Sequence, residues 1–98
     1  MITIIIPVYN EKKYIKTLLN KVIKLKDVKT QIIIVDDGSS DGSTEILKDE
    51  FINNKKINKI IFHKKNLGKG SAIKSAQRYI RGNYTIIQDA DLEYEPRD

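Results

Sequence analysis

Two aspartates, Asp89 and Asp91, stand on either side of Ala90, a spacing that puts both carboxylates on one side of an extended segment. Like charges that close resist joint ionisation unless a cation sits between them. A hard divalent ion, Mg²⁺ or Mn²⁺, fits this chemistry, because it takes carboxylate oxygens, keeps waters and shares its other positions with substrate phosphates. Glu93 continues the spacing and supplies a candidate third ligand, while Ala90 is small enough for a ligand to approach. A solvated acidic turn has the same short pattern. What favours the metal reading is the position of this one, directly after the apolar run from Tyr84 to Gln88.

A second acidic turn runs Asp36-Asp37-Gly38-Ser39-Ser40-Asp41-Gly42. Read as a calcium loop starting at Asp37, it would need a bidentate glutamate at position twelve, where Lys48 stands, so an EF-hand is excluded. A sharp strand-to-helix turn fits better, with the glycines taking unusual dihedrals. Asp37 is then the residue expected to accept a hydrogen bond from a ligand such as a nucleobase, whereas Ser39, Ser40 and Asp41 serve equally well as structural turn and cap residues. Gly68-Lys69-Gly70-Ser71 lacks the spacing of a Walker loop, and Ile73 occupies the place of the third glycine in a dinucleotide fingerprint. The segment still opens a helix whose first N–H groups can face phosphate or ribose. Lys64, Lys65 and Lys69 are candidates to neutralise a diphosphate. His63 has no partner histidine and reads as structural.

These turns matter only if the elements before them bring them to one place. Residues 2–6 and 32–35 are unbroken β-branched runs, the pattern of central strands buried on both faces of a parallel sheet. Between them, Ile15, Leu18, Leu19, Val22 and Ile23 recur at helical spacing, which predicts a helix from about Glu11 to Leu25. A second helix begins near Ser40 or Asp41, carries Ile46, Leu47 and Phe51, and stops at Asn53-Asn54. Lys59 to His63 reads as a third strand, a helix carrying Ile73, Ala76, Tyr79 and Ile80 ends before Gly82, and Tyr84 to Gln88 is a fourth strand. The fold class is therefore α/β, a Rossmann-like open parallel sheet with helices on both faces and right-handed crossovers. Ligands bind such sheets at the carboxyl ends of the strands, an edge that would gather Glu11, Asp36, Asp37, Asp89 and Asp91.

Ninety-eight residues, 40% apolar and 32% charged, make one small globular domain rather than a disordered chain. The absence of cysteine excludes disulfides and thiolate metal sites. The opening MITIII has no basic leader and its apolar run is broken at Pro7, so it reads as neither signal peptide nor membrane span. The net charge of +5 comes from lysines dispersed over helix faces and loops. It forms no stripe with interleaved aromatics, which argues against nucleic acid as a partner. An acidic turn with no element after it to pack against leads to the expectation that residues 1–98 are one incomplete domain, the front part of a larger one.

With PVYNE at 7–11, VDDGSSDGS at 35–43, NLGKGSA at 66–72 and DADLEYEP at 89–96, the chain resembles the amino-terminal half of a family-2, GT-A type glycosyltransferase. The dolichyl- and polyprenyl-phosphate mannosyl- and glucosyltransferases are the most similar group. The resemblance implies that Pro7, Tyr9 and Glu11 belong to the first nucleotide-contacting loop and that Asp37, with Val35 beside it, forms the base-binding turn. It implies that Asp89 and Asp91 are the DXD pair, with Asp91 and Glu93 on the metal and Ala90 against the ribose or diphosphate. Glutamate at 93 departs from the glutamine common in the mannosyltransferase branch and leaves the donor sugar open. Such enzymes move a hexose from a UDP- or GDP-linked sugar, usually with inversion, to a hydroxyl or a polyprenyl phosphate. The acceptor half and any general base are expected beyond Asp98. The 98-residue chain would then be inactive alone and inclined to self-associate through an exposed apolar face. Nucleotide-sugar supply implies a cytoplasmic location, at the cytoplasmic face of a membrane for a full-length protein. The rival reading is a stand-alone nucleotide or divalent-cation binding module without catalysis.

Overall fold

Ile4, Ile5 and Ile6 alternate between two faces of a strand, and all three are buried, so each face must be covered. In the computed structural model, which describes residues 1–26 and 29–89, that strand is β1 (Ile2–Val8). Its partner β2 (Thr30–Asp36) pairs with it in parallel, with Ile4 opposite Ile32 and Ile6 opposite Ile34. The edge strands are β3 (Lys59–Phe62) against β2 and β4 (Tyr84–Ile87) against β1. The order is β3-β2-β1-β4, all parallel, with both predicted central strands at the centre.

Three helical stretches connect the strands. Helix α1 (Ile15–Ile23) buries Ile15, Leu18, Leu19 and Val22. Helix α2 (Ser43–Ile46) runs on into a π-helical turn over Leu47–Phe51, which buries Leu47 and Phe51. Both pack against the face that presents Ile4, Ile6, Val8, Ile32 and Ile34. Helix α3 (Lys69–Gln77) covers the other face, where Ala72 and Ala76 meet Ile5, Ile33 and Val35. Alanines let this helix lie close to the strands, and two-sided coverage is what keeps a β-branched parallel sheet out of water. No helix among the described residues is long and apolar enough to cross a membrane.

Two buried polar side chains secure the amino-terminal ends of the strands on the α3 face. Thr3 and Gln31 are neighbours in the β1–β2 register, and the Thr3 hydroxyl donates to Gln31 Oε1 at 2.7 Å. Gln31 then donates to the Tyr79 carbonyl at 2.6 Å and accepts from the Arg81 N–H at 2.8 Å, while Gly82 N–H donates to Thr3 Oγ1 at 2.9 Å. The pair thus satisfies the chain as it leaves α3 and turns into β4. Gly82 is required by close approach, since a Cβ there would lie 2.5 Å from Thr3 Oγ1 and 2.7 Å from its backbone nitrogen.

Several boundaries differ from the sequence reading: α1 ends at Ile23 instead of Leu25, β3 and β4 end one residue early, at Phe62 and Ile87, and both of the first two helices start later than expected. Helix α1 starts at Ile15 instead of Glu11, because the Glu11 carbonyl takes the N–H groups of Tyr14 and Ile15 in a preceding turn. The second helix starts at Ser43, after Gly42 at φ 106°, with Asp41 and not Ser40 accepting its first free N–H.

Candidate functional site

The site is assembled where β1, β2 and β3 release the chain at their carboxyl ends. After β1, Asn10 adopts φ 52°, a left-handed conformation that asparagine tolerates better than most residues. This turns the 9–12 loop against the turn after β2. Asn10 N–H donates to Ser39 Oγ at 3.0 Å, Ser40 N–H to Asn10 Oδ1 at 2.7 Å, Glu11 N–H to Ser43 Oγ at 3.1 Å and Lys12 N–H to Asp41 Oδ2 at 3.0 Å. The backbone N–H groups of one loop are thereby held by side chains of the other.

Asp36 and Asp37 face different tasks. Asp36 accepts from Ser39 N–H at 3.2 Å and from the Thr44 hydroxyl, closing the turn on itself. Asp37 is 3% exposed and reaches the other way. Its Oδ1 accepts from His63 Nδ1 at 2.8 Å and Leu67 N–H at 2.9 Å. Its Oδ2 accepts from Asn66 Nδ2 at 3.0 Å and Gly68 N–H at 2.8 Å. Burial pushes this carboxyl up, but the donors His63, Leu67 and Gly68 outweigh it and hold Asp37 below the ordinary aspartate value. Asp41 is held low in the same manner, burial being outweighed by the Ser43 hydroxyl and the N–H groups of Lys12 and Ser43.

Between these loops lies a cleft of about 350 Å³, walled by Pro7, Tyr9, Glu11, Asp37, Lys69 and Asp89. Six of the residues singled out in the sequence thus meet at one edge of the sheet. Tyr9 is 45% exposed on the wall. Lys69, at the first position of α3, pairs with Asp89 across the opening at 2.7 Å, and both side chains are about half exposed. Val35 is placed elsewhere: its side chain is fully buried in the α3-facing core and does not line the cleft. Ala90, Asp91 and Glu93 lie outside the described residues. Of the expected metal ligands Asp89 is the one described, a half-exposed carboxylate whose oxygens suit a hard divalent ion. Among the described residues no cluster of three or more metal-binding side chains occurs.

Sequence reasoning missed Asn66, which lines the cleft and holds Asp37, and it missed that His63 binds Asp37. Both lie 26 or more residues from Asp37 in the chain, and no local pattern links them. A larger hollow, of about 490 Å³, opens at the opposite ends of the strands among Lys26, Lys29, Lys55 and Lys56, away from every residue predicted for the site.

A parallel sheet covered on both faces, with a cleft at its carboxyl edge between acidic turns and a lysine, is the architecture of a nucleotide-binding α/β domain. Residues 3–98 match the model of glycosyl transferase family 2, and the chain belongs to that family. It is 33% identical over 102 residues to an undecaprenyl-phosphate 4-deoxy-4-formamido-L-arabinose transferase of Aeromonas hydrophila, spanning 100% of this chain and 31% of that protein. A Yersinia pestis protein of the same description is 36% identical over 100 residues, again with 31% of its length covered. The chain therefore spans under a third of the curated relatives it matches. Among solved structures, the mannosyltransferase PcManGT from Pyrobaculum calidifontis in complex with GDP-Man and Mn²⁺ superposes with a TM-score of 0.80 at 25% identity, over 92% of this chain and 27% of that one. S. aureus TarS 1-349 in complex with UDP-GlcNAc gives 0.75 at 26% identity, over 92% and 26%. The sheet and its flanking helices are those of the GT-A glycosyltransferase fold.

Proposed function

We propose that this chain carries the donor half-site of a family-2 glycosyltransferase, binding a nucleoside-diphosphate sugar for hexose transfer, with inversion, to a polyprenyl phosphate. The observation that carries this reading is the convergence of Pro7, Tyr9, Glu11, Asp37, Lys69 and Asp89 on one cleft. The wall between the 9–12 loop and the 66–69 segment receives the nucleotide, and the Lys69–Asp89 side receives the diphosphate. Lys69 places a cation where negative charge grows as the sugar's C1 leaves the diphosphate oxygen and bonds to the acceptor from the opposite face. Asp89, with Asp91 and Glu93, would hold Mg²⁺ or Mn²⁺, which when bound supplies further charge stabilisation to the departing group. The Mn²⁺ in the complex of the Pyrobaculum mannosyltransferase with GDP-Man supports a divalent ion in general.

The acceptor class rests on the curated relatives, whose names specify undecaprenyl phosphate. Acceptor binding and any general base are assigned to the two thirds of those relatives that have no counterpart here. A polyprenyl-phosphate acceptor would place the full-length enzyme at a membrane, on the cytoplasmic face where nucleotide sugars are made.

Calorimetric titration with UDP and with GDP, each with and without Mn²⁺, tests the reading. The expected result is metal-dependent binding of one of them, weakened at least about tenfold in Asp89→Ala, the loss typical when a charged partner is removed. Failure of both nucleotides to bind would overturn the assignment.

A further inference from the structure

His63 is the chain's single histidine, and its ring lies between two polar side chains from different elements. Nδ1 meets Asp37 Oδ1 at 2.8 Å and Nε2 meets Ser75 Oγ at 2.8 Å. The His63 side chain is 10% exposed and that of Asp37 4%. An ionised carboxylate only accepts, so Nδ1 carries a proton and donates it to Asp37. Nε2 is then fixed against the Ser75 hydroxyl, which can give or take a hydrogen as the ring requires. Ser75 is the seventh of the nine residues of α3, so the ring ties the end of β2 to that helix.

The consequence appears at the two carboxylate oxygens of Asp37. They hold Leu67 N–H, Gly68 N–H and the Asn66 amide, and the next residue is Lys69, whose ammonium reaches Asp89 across the cleft. Gly68, at φ 101° and ψ 157°, is the non-helical residue that turns this segment into α3. The path of 66–68 is therefore set by one carboxylate, and the direction of that carboxylate is set by His63 with Ser75 behind it. His63 itself does not line the cleft.

We propose that His63 is a positioning residue for the diphosphate side of the cleft, acting through Asp37 and the 66–68 segment to place Lys69. This rests on the donor-site reading above and names a residue that the reading does not use. A side chain that fixes its neighbour by buried hydrogen bonds sets the geometry of the groups that touch ligand.

The test is a double-mutant cycle on the 98-residue chain. Affinities of UDP and GDP with Mn²⁺ are measured by calorimetry for wild type, His63→Ala, Lys69→Ala and the double variant. Exchange protection of the Leu67 and Gly68 amides is followed by NMR in the same proteins. His63→Ala is expected to weaken the bound nucleotide by about tenfold and to abolish that amide protection. In the Lys69→Ala background the same substitution is expected to change affinity less than about twofold, because its route to the ligand is already cut. His63→Asn, which keeps an N–H donor near the Nδ1 position, is expected to recover most of the affinity; Ser75→Ala is expected to lose part of it. If His63→Ala does not fold, the Ser75→Ala and His63→Asn pair decides alone. Equal losses in the wild-type and Lys69→Ala backgrounds would reduce His63 to a fold-stabilising residue and overturn the proposal. Unchanged amide protection would overturn it as well. A wild-type chain that binds neither nucleotide would sink the donor-site reading first, and the positioning role with it.

Discussion

The Asp37 carboxylate accepts four hydrogen bonds from residues 63 to 68, and its loss would leave partly buried N–H donors without acceptors. Stranding such groups is costlier than the net worth of the bonds themselves. Asp37→Ala is expected to lower unfolding free energy by about 3 kcal/mol in urea titrations, within the range for breaking a buried charged network. A value under about 1 kcal/mol would show that the 66–68 segment is held elsewhere. The same carboxylate gives a pH dependence. Asp37 and Asp41 are both held below the ordinary aspartate value in the folded chain. Their stabilisation is therefore complete above the unfolded value near pH ~4, and it is lost as pH falls through the lower folded values. Melting temperatures should fall below pH ~4 and fall less steeply in Asp41→Asn, which cannot be protonated there.

The elements rest on apolar coverage of the sheet, and their joints rest on a few glycines. Leu19, on α1, is fully buried against the sheet; Leu19→Ala is expected to cost about 2–5 kcal/mol in chemical denaturation, the usual range for a core leucine. Gly38 combines φ 72° with contact to the neighbouring loop, where a Cβ would lie 2.4 Å from the Lys65 carbonyl carbon and 2.6 Å from Asn66 nitrogen. Backbone on both sides leaves nothing flexible to yield. Gly38→Ala should therefore push the 65–68 segment off Asp37, costing about 1–3 kcal/mol and weakening nucleotide binding together with stability. A binding constant unchanged at full folding would separate that segment from the ligand site.

For the whole molecule, the sheet is asymmetric. β1 and β2 are covered on both faces, but β4 is exposed along its length, with Tyr84 at 74%, Ile86 at 48% and Ile87 at 39%. Such an apolar edge strand offers both unpaired backbone groups and sticky side chains to another chain. Concentration-dependent self-association in sedimentation velocity is the expected outcome. Ile86→Lys should suppress it with a stability change within about 0.5 kcal/mol, as for other exposed positions. A monomer at all concentrations would mean that this edge is not adhesive in solution.

Much of this architecture is legible in the residues themselves. Unbroken β-branched runs such as Ile4–Ile6 and Ile32–Val35 suit central strands buried on both faces, and the spacing of Ile15, Leu18, Leu19 and Val22 suits one buried stripe of a helix. Given a parallel sheet, the turns after β1 and β2 share an edge, so the pattern alone brings Glu11 and Asp37 to one place. Position along an element follows from local pattern, because burial periodicity and turn chemistry act over a few residues. Partner choice does not. That Asp37 would hold His63, Asn66 and Gly68, that Asn10 would lock onto Ser39 and Ser40, and that Val35 would face the core under α3 were settled only by tertiary packing. These pairs are far apart in sequence, and each depends on which face of a strand or helix another element happens to cover.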